Sequence, residues 1–197
     1  QGCADVQTAN FTPCNTNLPL QVDDGVYDTA SGYAGPVTAY YVSRLTPAVY
    51  PATLTTVQIF MNATAGPSAS TPITVLAAAN PSGSSTINGI GFQTQAATLG
   101  TLNQFNSFTL TTPITISSGD FVIGYSIAIP SGSTWYAEVR DTTSPQSRSY
   151  RSTNGGAIGG VDVTLNHNWR FGVATGGGRT DARVDAAVAH GDEDIVF

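Results

Sequence analysis

Apolar side chains recur at every second position over most of the chain, the spacing of strands with one face buried. The clearest run is Phe121-Val122-Ile123-Gly124-Tyr125-Ser126-Ile127-Ala128-Ile129, with large apolar residues at odd positions and mostly small ones at even positions. The same alternation predicts strands from Val37 to Arg44, Leu54 to Met61, Ile73 to Ala78, Phe108 to Ile116 and Trp135 to Arg140. A last one is expected from Asn168 to Thr175, with Trp169, Phe171 and Val173 on its core face. Thr46-Pro47, Tyr50-Pro51, Gly66-Pro67, Pro81-Ser82-Gly83, Ser117-Ser118-Gly119-Asp120 and Pro130-Ser131-Gly132 separate these runs with turn chemistry. Seven or eight strands so spaced predict an all-β fold, an antiparallel β-sandwich of jelly-roll type, in one domain over residues 20–175.

Three stretches break the pattern. Residues 1–19 are polar and hold both cysteines; residues 80–107 and 141–166, rich in Gly, Ser, Asn and Thr, are expected to be long surface loops. Residues 176–197 open with Gly176-Gly177-Gly178, a flexible joint, and continue as an acidic segment closing on Ile195-Val196-Phe197. An extended arm is expected there, with Val184, Val188, Ile195, Val196 and Phe197 as its apolar contacts. Such an arm packs either on its own domain or, by adding a strand to a sheet edge, on a second copy of the chain.

Composition agrees with strands and turns. The 197 residues include 27 Thr, 17 Ser, 21 Gly and 11 Pro but no Lys, two Glu and one Met, so the best helix formers are scarce. A helical bundle and a Rossmann-like enzyme are excluded. Charged residues make up 10% of the chain, with a net charge of −6 and its seven Arg mostly dispersed. Nucleic-acid binding, which needs clustered cations to displace counterions from phosphates, is therefore not expected, nor is an anionic membrane surface. No apolar run reaches the length of a transmembrane helix.

The opening Gln1-Gly2-Cys3 is expected to be a mature N-terminus left by signal-peptide cleavage. In a secreted chain Cys3 and Cys14 read as one disulfide; two free thiols are the alternative. Neither cysteine has a second Cys or a His at metal-ligand spacing. Asn10 and Asn62 open N-x-[ST] sequons that matter only in a glycosylating host.

Little spells a reaction. His167 and His190 are the only histidines, neither sits in a catalytic motif, and no G-x-S-x-G elbow is present. Glu138 and Asp141 are the acids nearest each other on a strong strand, as a glycosidase pair would need. Yet Glu138 alternates with Ala137 and Val139 and is expected to face solvent. Asp23, Asp24 and Asp28 are candidate oxygen ligands for Ca²⁺, though Asp-Asp-Gly is also ordinary turn chemistry. Tyr27, Tyr33, Tyr40, Tyr136 and Tyr150 could supply a stacking platform for a polysaccharide, with Tyr136 and Tyr150, beside polar loops, the first candidates.

The runs Val22-Asp23-Asp24-Gly25, Tyr41-Val42-Ser43-Arg44-Leu45-Thr46-Pro47-Ala48-Val49-Tyr50-Pro51-Ala52-Thr53-Leu54 and Val57-Gln58-Ile59-Phe60 resemble a recurrent bacterial module. Ser118-Gly119-Asp120-Phe121-Val122-Ile123-Gly124-Tyr125 and Arg148-Ser149-Tyr150 fit the same pattern. The likeness, over about residues 20–175, is to secreted β-sandwich domains found beside extracellular peptidases and propellers. It implies secretion and an all-β fold, not an activity. The expected role is a non-catalytic extracellular structural or adhesive subunit associating with copies of itself, up to a filament; the alternative is a carbohydrate-binding module.

Overall fold

Strands form wherever apolar and small residues alternate, and they pair only with antiparallel neighbours. The computed structural model describes residues 20–21, 26–64, 66–87, 89–143, 146–153, 168–169 and 171–176, with 20–21, 168–169 and 171–176 described by backbone pairing. In chain order the strands are β1 (Leu20–Gln21), β2 (Thr29–Ala34), β3 (Val37–Leu45), β4 (Ala52–Met61), β5 (Pro72–Asn80) and β6 (Gln93–Thr98). They continue with β7 (Gln104–Ile116), β8 (Asp120–Ile129), β9 (Thr134–Asp141), β10 (Ser149–Ser152), β11 (Asn168–Trp169) and β12 (Phe171–Gly176). One sheet has the order β1-β12-β4-β7, a second β10-β3-β8-β5-β6, and a third β11-β9-β2. Among the described residues there is no helix.

A single apolar cluster draws on all three sheets. Ala39, Tyr41, Ile73, Val75, Ile123, Tyr125 and Ile127 enter it from β3, β5 and β8; Leu54, Val57, Ile59 and Met61 from β4; Ala137 and Val139 from β9. The buried positions of β4 change parity midway, from Ala52 and Leu54 to Val57, Ile59 and Met61. The register against β7 shifts there, from Leu54↔Ile114 to Thr56↔Thr109, and an odd offset turns the side chains beyond it to the other face. Gly32 sits at the equivalent irregularity of β2 against β9, between Ser31 and Tyr33. A Cβ there would stand 1.6 Å from the Trp135 carbonyl oxygen, so only glycine fits.

β8 lies between β3 and β5 and is buried on both faces. Its odd side chains meet the main cluster; Val122 on the other face joins Val42, Leu76, Ile87 and Tyr150 in a second, smaller one. Ile87, with Ile90 and Phe92, comes from residues 81–92, so this connection folds over the outer face of the sheet. The Tyr150 hydroxyl donates to the Ser85 carbonyl at 2.9 Å and the Asn80 amide donates to the Ser84 carbonyl at 2.8 Å. Gly119 takes φ 66° in the predicted β7–β8 turn.

Three expectations are corrected here. Residues 80–107 and 141–166 are not wholly loop, since they contain β6 and β10. β6, Gln-Thr-Gln-Ala-Ala-Thr, has no large apolar residue to signal it and is held by backbone pairing to β5. The single strand expected at 168–175 is two: β11 pairs with β9 in the third sheet and β12 with β4 in the first. The disulfide-tied segment 1–19 and the arm beyond Gly176, with Cys3, Cys14, Val184, Val188, Ile195, Val196 and Phe197, lie outside the described residues, as do the side chains of Trp169, Phe171 and Val173.

Ile123 is fully buried in the main cluster, whereas Thr94 on β6 is exposed. Ile123→Ala should destabilise the fold by about 2–5 kcal/mol in urea unfolding. Thr94→Ala should change it by less than about 0.5 kcal/mol.

Candidate functional site

The chemistry gathers on the polar face of β9, where the two-residue period lines up Tyr136, Glu138 and Arg140. Glu138 is fully buried, contrary to its expected place in solvent. Core residues Ala137 and Val139 cover one face of β9, and arginines cover the other. Arg140 donates from Nε at 3.0 Å and from Nη2 at 2.6 Å to Glu138 Oε1; Arg151 on β10 donates to Oε2 at 2.8 Å. Ser31, opposite Glu138 on β2, accepts a further hydrogen bond from Arg140 Nη2. The Arg151 guanidinium also sits 5.7 Å from the centre of the Tyr33 ring, a cation–π contact. Strand periodicity describes one strand and not what lies across it; the available signal was Arg140, two residues along and so on the same face as Glu138.

Two phenols lie within reach of the same carboxylate. Tyr41 and Tyr125 face each other across β3 and β8 with ring centres 5.4 Å apart. The Tyr125 hydroxyl donates to the Ala137 carbonyl. Burial first, then the nearby Glu138 charge and Tyr33, push the Tyr41 phenol well above its ordinary value of 10.0. Burial, then Tyr41 and Glu138, do the same for Tyr125. Both keep their protons at neutral pH.

A second ionic group ties the start of β8 to the end of β3. Arg44 donates to Asp120 Oδ2 at 2.6 Å and to the Gly83 carbonyl at 2.7 Å. Thr46 donates to Asp120 Oδ1 at 2.6 Å, and Arg148 donates to the Thr46 hydroxyl at 2.8 Å.

The other predicted site residues are not brought together. Asp141 is fully buried and accepts from the Thr143 amide at 2.7 Å. It is three residues from Glu138 on one strand, so their side chains leave opposite faces and cannot flank one bond as a glycosidase pair must. Asp28 accepts from the Thr142 amide and hydroxyl, both at 2.7 Å, closing the β2–β9 end; Asp23 and Asp24 lie outside the described residues. Among the described residues no three His, Cys, Asp or Glu side chains are grouped to hold a metal ion. Tyr150 is corrected as a glycan-facing residue. It is 2% exposed, its ring under the connection 81–92, and offers no face for stacking. Tyr136 is 49% exposed and keeps that possibility; Tyr27 and Tyr33 pack on the main cluster and Tyr40 on the smaller one.

Glu138→Gln should destabilise the protein by about 2–4 kcal/mol in urea unfolding. Two guanidiniums would then face a neutral amide, and the cost falls below that of a fully buried pair because both arginines are about a quarter exposed. A second expectation follows from the phenols. Unfolded tyrosines ionise near pH 10 while Tyr41 and Tyr125 stay protonated, so the folded state holds more protons above that pH. Their contribution is complete below about pH 10 and declines as pH rises beyond it. The melting temperature should drop above that pH, and less steeply in the Tyr41→Phe, Tyr125→Phe double variant.

Comparison with known proteins adds one match. The family model described as the autotransporter beta-domain fits residues 131–196, about a third of the chain. No curated protein and no solved structure matches. The fitted stretch contains β9 to β12, and so the strand that carries Glu138. A membrane barrel turns apolar side chains outward to lipid and polar ones inward. The described strands do the reverse, and among the described residues the large hydrophobics that are exposed are Val26, Tyr50 and Tyr136. Their outer faces are built for water. The match indicates a secreted or outer-membrane protein of the cell surface, in agreement with the extracellular location expected from the sequence.

Proposed function

We propose that this chain is a non-catalytic extracellular structural or adhesive subunit, a jelly-roll-like β-sandwich that self-associates. Its C-terminal arm adds a strand to a neighbouring copy, a head-to-tail contact that does not close and so extends into a filament. One observation supports this reading most directly: the use made of the acidic groups. The acids among the described residues are Asp28, Asp120, Glu138 and Asp141, and each is spent on joining strands or turns. Both oxygens of Glu138 accept from arginine, a poor arrangement for a general base. Charge among these residues works as a tie between elements.

Tyr136 supports the second reading, carbohydrate binding. Its ring is half exposed on the polar face of β9, an aromatic surface open to stacking. Sedimentation velocity and negative-stain microscopy of the full chain decide between the two. Assemblies that grow with concentration are expected. A monomer at every concentration, together with retention on a polysaccharide column that Tyr136→Ala removes, would replace the first reading by the second.

A further inference from the structure

From Thr46 to Gly119 the sequence contains no Asp, Glu, Lys, Arg or His. That stretch supplies β4, β5, β6 and β7, which lie together on one side of the fold: β7 ends the first sheet and β6 ends the second. The ion pairs of the described residues stand on β3, β8, β9 and β10 and the turn before β10. They touch that stretch at Thr46 and Gly83, not on β6 or β7. Among the described residues the side around β6 and β7 therefore carries no charge, and two edge strands meet there.

The two edges are not equivalent. Glutamines from β6 cover β7: Gln95 donates to the Thr109 carbonyl at 3.0 Å and accepts from the Thr111 amide at 2.9 Å, and Gln93 donates to the Thr112 carbonyl at 2.9 Å. Side chains thus occupy the backbone positions that a further strand would need. Among the described residues nothing comparable covers β6 itself. It pairs with β5 without a break from Pro72↔Thr98 to Ala77↔Gln93, and among the described residues no strand lies beyond it. The devices that blunt an edge strand are charge, proline and a bulge, and β6 has none of them. Thr94, Ala96 and Thr98 point outward, small and uncharged.

We propose that β6 pairs antiparallel with β6 of a second copy about a two-fold axis, joining two five-stranded sheets into one. The charge distribution selects this occupant. Each copy carries a net charge of −6, so two copies repel wherever their acids meet, and contact along the uncharged side brings no like charges together. The pairing rests on the self-association proposed above and adds a second contact to the arm. A two-fold contact closes on itself, so it makes a dimer and extends nothing alone.

The test uses the full chain with Ala96→Lys and, separately, Ala96→Glu. Ala96 is exposed, so melting temperature and circular dichroism should stay at the parent values; Thr94→Lys and Thr94→Glu serve if they do not. In sedimentation velocity at low concentration the parent should be dimeric. Each variant alone should dimerise about tenfold or more weakly, because like charges meet across the axis. An equimolar mixture of the Lys and Glu variants should recover the dimer. If the parent associates and both variants associate equally well, the contact is elsewhere: the β6 pairing fails and the self-association reading stands. If the parent is monomeric throughout, both fail.

Discussion

A carboxylate removed from water has to be neutralised where it lies, and much of this fold is arranged around doing that for Glu138. Its strand β9 has core on one side, so the carboxylate can be met only from the other, by Arg140 on its own strand and Arg151 on β10. β10 pairs with β3 in the second sheet, while β9 pairs with β2 in the third. The ion group is therefore a tie between sheets. Ion pairs of this kind contribute little net stability compared with apolar packing, but losing one partner is costly. Only arrangements that bring both guanidiniums to Glu138 avoid that cost, which restricts how β2, β9 and β10 can sit.

The same charge reaches into the core. Tyr41 and Tyr125 fill the interior between β3 and β8, and their phenols would be poorly placed as anions beside a fixed carboxylate. They stay protonated, and Tyr125 uses its proton on the Ala137 carbonyl of β9. That bond fastens β8 to the strand carrying Glu138. Electrostatics and packing thus meet on one short piece of chain, residues 137–140.

The parts of the fold legible in the sequence are those where large apolar residues alternate. β8 was legible because Phe121, Ile123, Tyr125, Ile127 and Ile129 share one parity. β4 was legible despite its bulge, since a shift of phase leaves each half readable. β6 was not, because Gln93, Gln95 and Ala97 carry too little apolar surface to mark a face, and only pairing with β5 makes them a strand. Tyr150 looked like a surface aromatic because its neighbours are polar, yet the connection that buries it comes from residues 81–92, far away in sequence. Glu138 failed for the same reason, its partners arriving from another sheet. What cannot be read locally is what covers a face.

Segregation of charge links these structural facts to the cell-surface setting. A chain with few charges could spread them evenly for solubility; this one uses those of its described strands as ties and leaves the side built from residues 46–119 neutral. A neutral side of hydroxyls and amides is hydrated without being repelled by another of its kind, and salt screens nothing there. The neighbouring edges β6 and β7 then differ in whether side chains occupy their backbone groups, and β7 has Pro113 and a register shift besides. Gln93 and Gln95 settle that difference, because a glutamine reaching from β6 onto β7 protects the strand it reaches and leaves its own backbone edge open. The direction in which two side chains point thus adds to Pro113 and the register shift of β7 in leaving β6 as the edge that can accept a partner.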